Sequence, residues 1–316
     1  MKYVYITALI DFQINERLLT PLRIKENLYI SNNPAHIAGY MTPSDLITIG
    51  SLEARPLTNG TPVLYRIDEI SSSTEADIEI VNFLREVQAF LTAAWLVEDN
   101  SANCELAFSF SQSQVHVHSN SLALNYTSCK GERSPVILHP DKLRKIGHLH
   151  AEFLQGAREQ EKQPHTKFRK TMGRLDRGIS YLQQARANTD LGQKIANYCS
   201  FFESTLSTSS SELSHQLAER TAFFIGKTPN ERFDIFQQIK QAYGIRSKIV
   251  HGDTLSEKII VNLPAISKNC DDHARSLVLK IIQDKKLDKL FQNGSSESLD
   301  RYMLNLIFGT PQDLHD

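Results

Sequence analysis

Cysteine is scarce in this 316-residue chain: Cys104, Cys129, Cys199 and Cys270 lie far apart, and none belongs to a C-x-x-C pair. That spacing argues against a zinc site and against a disulfide framework, and it fits a reducing cytoplasm, where we expect the protein to act. Long apolar runs are missing too. No stretch approaches the roughly 18 apolar residues that cross a bilayer, so no membrane partner is expected. The opening MKYVYITALIDFQINERLL lacks the long apolar core and small-residue cleavage site of a signal peptide, and reads as a β-strand passing from edge to core. Nor is there an excess of one charge, since the net charge is −1.

The charge is unevenly spread, however. Residues 1–140 carry 9 Lys and Arg against 15 Asp and Glu, residues 141–177 carry 10 against 5, and residues 178–316 are balanced at 16 against 16. The basic band is a candidate docking region for an anionic partner, or a solvated helix with extra lysines. With 41% hydrophobic and 22% charged residues the chain can bury a sizeable core, and its length favours two domains.

Residues 1–140 read as an α+β domain with a mostly antiparallel sheet. KYVYITALI, TPVLYRIDEI, CELAFSF and QVHVHS are short, rich in β-branched and aromatic residues, and bounded by Pro, Asn, Gly and Ser. In QVHVHS, Val115 and Val117 alternate with His116 and His118 as in a half-buried strand. One helix interrupts them: Ile80, Phe83, Leu84, Val87, Phe90, Leu91, Ala94 and Trp95 fall at helical spacing. Residues 141–316, with a core at about 175–308, read as an all-α bundle. Pro140 opens its first helix and Gln163-Pro164 breaks the pattern. Helices follow over 168–187, 191–206, 211–226, 229–244, about 268–290 and 297–308. Ser210 or Ser211 is expected to cap the third, Gly226 to close it, and Pro229 to open the next. Short connections between such helices imply antiparallel neighbours.

The stretch YGIRSKIVHGD, residues 243–253, sets Arg246 five positions before His251. With 17 Arg and 11 His in the chain, such spacing is weak evidence, and Arg133–His139 and Arg144–His150 are near-matches at six. Context separates them. NYCSFFESTLS, SSSELSHQLAERTAFFIG and NERFDIFQQIKQAYG, the last running into IRSKIVHGD, together resemble the Apea-like branch of the HEPN superfamily over about residues 190–255. Residues 1–140 match no family that we can place.

The resemblance implies an all-α bundle that pairs as a homodimer, with Arg and His of both copies facing across the interface. It further implies metal-independent endoribonuclease activity without a cofactor, RNA as partner, a role in phage defence or a toxin system, and a regulatory or antitoxin partner. By position the catalytic pair is Arg246 and His251, with Ser247 and Glu203 in support. Some relatives keep the fold without activity, so a catalytically silent dimerisation or protein-binding module is the alternative.

The chemistry is compatible with an enzyme. Attack of a ribose 2′-hydroxyl on the adjacent phosphate needs a proton removed, charge on phosphorus stabilised and the leaving oxygen protonated. Histidine can move protons near neutrality, and arginine grips phosphoryl oxygens with a planar fork. Yet residues five apart on a helix lie about 140° apart around its axis. The motif must therefore straddle a helix start, for which Gly244 is the candidate break, or two copies must cooperate. Lys248 is a candidate RNA contact or simply exposed. Arg220, set among apolar residues, reads first as partner of a carboxylate inside the bundle and second as an RNA contact. His116 and His118 share a strand face without a third metal ligand in sequence, and His148 and His150 read as exposed helix in the basic band.

Overall fold

The structure, a computed structural model, describes residues 1–111, 117–121, 125–160 and 172–309. It divides into two compact units, Met1–Ser128 with Arg133–Arg158, and Cys129–Glu132 with Glu159–Asp316.

The first unit is built on a six-stranded antiparallel sheet of order β3-β4-β5-β1-β6-β7. Its strands are β1 (Lys2–Ala8), β3 (Leu22–Lys25), β4 (Leu28–Ser31), β5 (Val63–Glu69), β6 (Leu106–Ser111) and β7 (Val117–Ser121). A separate parallel pair joins β2 (Phe12–Ile14) to β8 (Val136–Leu138). β1 is an interior strand throughout, paired with β5 on one side and β6 on the other. Tyr3, Val4, Tyr5 and Ile6 are buried in succession, the run expected of a strand covered on both faces. The predicted helix is α3 (Ser73–Val97), and all eight apolar residues of its expected stripe are buried. Its segment Thr74–Val97 is long and apolar enough to cross a membrane, but 67% of the relevant window is buried within the fold, as in a core helix.

Two helices were missed. α1 (Pro43–Ile49) starts with a capping box in which Thr42 and Asp45 satisfy each other's backbone N–H, and α2 (Ser51–Thr58) follows directly. Gly50, at φ 91°, separates them in a conformation that favours glycine. Each is too short for an apolar period to show.

Helix α4 (Pro140–Gln160) starts at the proline, as expected, but it belongs to the first unit, so the division falls near residue 158 rather than 140. Leu143, Ile146 and Leu149 are buried, and the buried His150 points Nε2 at the Glu86 carbonyl of α3, 3.1 Å away. His150 is therefore a core residue, whereas His148 is exposed. His118 pairs with Asp77 at 2.8 Å; its expected strand partner His116 lies outside the described residues, as do Gln163-Pro164 and residues 168–171.

The second unit is all-helical: α5 (Arg174–Ala187), α6 (Leu191–Leu206), α7 (Leu213–Ile225), α8 (Pro229–His251), α9 (Glu257–Gln283), α10 (Lys285–Asn293) and α11 (Ser296–Phe308). Tyr198, Phe201, Phe202, Phe224, Ile239, Leu277 and Ile281 form its core. Gly226 ends α7 and Pro229 opens α8 behind a Thr228–Glu231 capping box. Neither Ser210 nor Ser211 caps α7. The serine run closes on itself, with Ser211 N–H donating to Ser209 Oγ, and the chain enters the helix through Glu212 in the left-handed region at φ 47°. The helix expected at 268–290 is two: α9 runs back through Pro264 to Glu257, and Asp284 caps the start of α10 by accepting from Lys286 and Leu287 N–H.

Candidate functional site

Arg246 and His251 both lie on α8, which is continuous from Pro229 to His251. Gly244 does not break it. A single glycine lowers helix propensity by only about 1 kcal/mol, and the packing of Ile239, Ala242 and Ile245 outweighs that. The break comes at Gly252, in the left-handed conformation at φ 76°. Its N–H reaches Ile249 O at 3.3 Å and the Asp253 N–H reaches Lys248 O at 2.9 Å, the two bonds of a Schellman motif. The His-Gly dipeptide thus makes His251 the last helical residue and leaves it exposed.

The arginine faces inward. Its Nη2 lies 3.2 Å and 3.4 Å from the two Glu203 carboxylate oxygens, and its guanidinium stands over the Tyr243 ring, 5.3 Å from the centroid. About a quarter of each charged side chain is exposed, so the pair is neither free nor sealed in the core. Glu203 gets there because α6 runs close against α8: a Cβ at Gly192 would sit 2.7 Å from Ile249 Cδ1. Burial, and then the Glu203 carboxylate, push the Tyr243 phenol up. Behind the pair, burial pushes the Cys199 thiol well above its usual value, which leaves it protonated and unreactive.

The structure thus brings together Arg246 and Glu203, adds Tyr243, and sets His251 on another part of the helix surface. Ser247 and Lys248 are half-buried, and neither side chain has a hydrogen bond or ion pair among the described residues. Arg220 answers to the first of its two expectations. It is 5% exposed, its Nη1 donates to Leu206 O and Thr208 Oγ1, and its Nη2 pairs with Asp300, so it is committed internally rather than presented to RNA. Its partner carboxylate sits at the surface, where the Thr208 hydroxyl and Arg220 hold it below the usual range. Among the described residues no group of three His, Cys, Asp or Glu is placed to hold a metal.

Two open clefts lie near the pair, one reached through Tyr243 and the other through Glu203, and Arg246 itself lines neither. One, of about 450 Å³, is lined by Tyr243 with His215, Lys240, Ser214 and Glu212. The other, of about 330 Å³, is lined by Glu203 with Arg174, Ser296 and the serine-rich 207–210 turn. Leu213 lies on both walls. Arg174 is the residue that sequence reasoning passed over; its one signal was a place in the basic band, because the helix expected at 168–187 put it inside rather than at the start. No protein-family model, curated protein or solved structure matches this chain.

Proposed function

We propose that this protein is a metal-independent endoribonuclease of HEPN type that cleaves RNA by attack of the 2′-hydroxyl on the neighbouring phosphate. The observation that carries the proposal is the Arg246–Glu203 ion pair between α6 and α8. Its two residues are 43 positions apart, and both belong to the motif segments. Arg246 retains donors beyond those aimed at Glu203 and stabilises the charge that develops on phosphorus. His251, exposed at the helix end, takes the hydroxyl proton and returns one to the leaving 5′-oxygen. Because the two lie about 140° apart on an unbroken helix, each phosphate meets Arg246 of one copy and His251 of a second. Val250, beside His251, and Ile260 and Val261, near the start of α9, are exposed at 58%, 51% and 78% and offer apolar area to a second copy. A cytoplasmic role in phage defence or as a toxin, with a regulatory or antitoxin partner, follows from the motif resemblance.

The engagement of Arg246 by Glu203 and Tyr243 favours one other reading, a silent dimerisation module in which the arginine is structural. Purified protein incubated with total RNA in EDTA separates the two. The enzyme reading expects cleavage that is lost in both Arg246→Ala and His251→Ala. Intact RNA at high protein concentration would sink it.

A further inference from the structure

Among the described residues, Arg174 is a cation without an ion-pair partner. It is the first residue of α5 and half-buried, and its polar partners among the described residues are neutral: Nη1 donates to Ser207 O and Nη2 to Ser296 Oγ, each at 2.6 Å. Arg177 and Arg220 add charge of its own sign, and burial first, then these two, push its guanidinium down. Of the carboxylates close by, Asp300 is taken by Arg220 and Thr208, and Glu203 by Arg246. A half-buried guanidinium in such surroundings is stabilised by an anion.

The cleft beside it has the lining an oxyanion needs. Ser207, Ser209, Ser210 and Ser296 line a space of about 330 Å³, large enough for a phosphate group with its ester substituent. Arg174, Leu213 and Ser296, all on its wall, are the first residues of α5, α7 and α11. Neither α5 nor α7 has a side-chain cap, so first-turn N–H groups and the positive ends of helix dipoles add to the guanidinium. The helix starts reinforce the site; the arginine without an ion-pair partner among the described residues, in a serine-lined cleft, defines it.

We propose that this cleft binds a phosphate group, with Arg174 as the charged anchor and the 207–210 turn and Ser296 as hydroxyl donors. The site stands independently of catalysis. Where the ribonuclease reading holds, it takes a backbone phosphate a short distance from the one beside Arg246, since Glu203 lines the same cleft.

The test titrates the full chain with sodium phosphate against sodium chloride at matched ionic strength, read by calorimetry and by the melting temperature. Saturable, phosphate-specific stabilisation is expected. Because Arg174 also ties Ser207 to Ser296, Arg174→Gln risks the fold, and the decisive variant is Ser210→Glu. That residue is exposed, and its new carboxylate would repel the ligand without removing an internal contact. Phosphate affinity should fall about tenfold or more in both variants and be kept in His251→Ala, so loss of cleavage and loss of the anion site are read separately. A second arm measures binding of a fluorescent single-stranded RNA. Weaker RNA binding in Ser210→Glu assigns the phosphate to an RNA backbone, and unchanged RNA binding alongside saturable phosphate binding assigns it to a free phosphate or nucleotide. Equal response to phosphate and chloride, with RNA binding untouched by Ser210→Glu, would overturn the proposal.

Discussion

Each unit of the molecule sets an arginine over a tyrosine beside a carboxylate, and the two sites have opposite character. In the first unit, Arg66 stands 5.0 Å from the Tyr5 ring centroid and contacts Asp68 at 2.7 Å, Glu79 at 2.6 Å and Glu86 at 3.2 Å. Burial opposes its charge, but Glu86, Asp68 and Glu79 together hold the guanidinium above the usual arginine value. In the second unit, Arg246 over Tyr243 has, among the described residues, a single carboxylate at longer contacts, with one cleft lined by Tyr243 and another by Glu203. A guanidinium surrounded by three carboxylates is a clamp between β5 and α3. One that faces a single carboxylate among the described residues keeps donors beyond that pair.

The largest effect that would break this comparison lies at the clamp. Arg66→Ala leaves Glu86, which is 5% exposed, facing only Lys25 and should destabilise the first unit by about 3–5 kcal/mol. Trp95, the only tryptophan and 1% exposed, reports unfolding of that unit by its fluorescence. Arg246→Ala should instead cost about 1 kcal/mol in unfolding by urea, while lowering any RNA cleavage about a hundredfold, the loss typical of a missing transition-state donor. If Arg246→Ala unfolds the helical unit as readily as Arg66→Ala unfolds the first, the distinction between clamp and site collapses, and the silent-module reading gains.

A further difference between the regions is their answer to acid. His150 sits in the first unit against the Glu86 carbonyl, near Lys25, and burial lowers its pKa to about 4. The unfolded chain, with an ordinary histidine pKa near 6.5, binds the proton that the folded unit refuses. Stability is therefore full above about pH 6.5 and falls as pH drops from there toward 4, by about 2 kcal/mol between pH 7 and pH 5. His150→Leu should flatten that part of the Trp95-monitored stability profile. An unchanged profile would mean that some other group sets the acid response.

How much of this was legible in the sequence follows from the range of the forces involved. The α3 stripe, and the junction at which Gly226 ends one helix and Pro229 opens the next, are local, and both were readable from spacing and residue type. The clamp was not: in TPVLYRIDEI, Arg66 and Asp68 look like the polar alternation of an exposed strand, and only the arrival of Glu79 and Glu86 from α3 makes them a buried cluster. The same limit hid the role of Arg174, whose neighbours Ser207 and Ser296 are supplied by turns and helix starts 33 and 122 residues away. Assigning α4 to the second domain failed for a related reason. Its helical pattern says that a face is buried, and says nothing about which partner buries it.

The smallest predicted effects are also the sharpest, because two glycines of the same helix should respond with opposite signs. At Gly244 the backbone is ordinary α-helix and a Cβ would meet nothing within 4 Å, so Gly244→Ala removes unfolded-state freedom and should stabilise by about 0.5–1 kcal/mol. Gly252 has the same open surroundings, but its φ of 76° is costly for any residue with a Cβ. Gly252→Ala should therefore destabilise by about 1 kcal/mol through backbone strain alone, and relief of that strain would loosen the Schellman turn that fixes His251. The two substitutions are chemically identical, so solvation and side-chain size cancel between them. If cleavage depends on His251 being held at a defined helix end, activity falls more in Gly252→Ala than its unfolding free energy accounts for, and Gly244→Ala serves as the control. Equal and small changes in both variants would show that the end of α8 is not under constraint, and that His251 needs no fixed position to do its work.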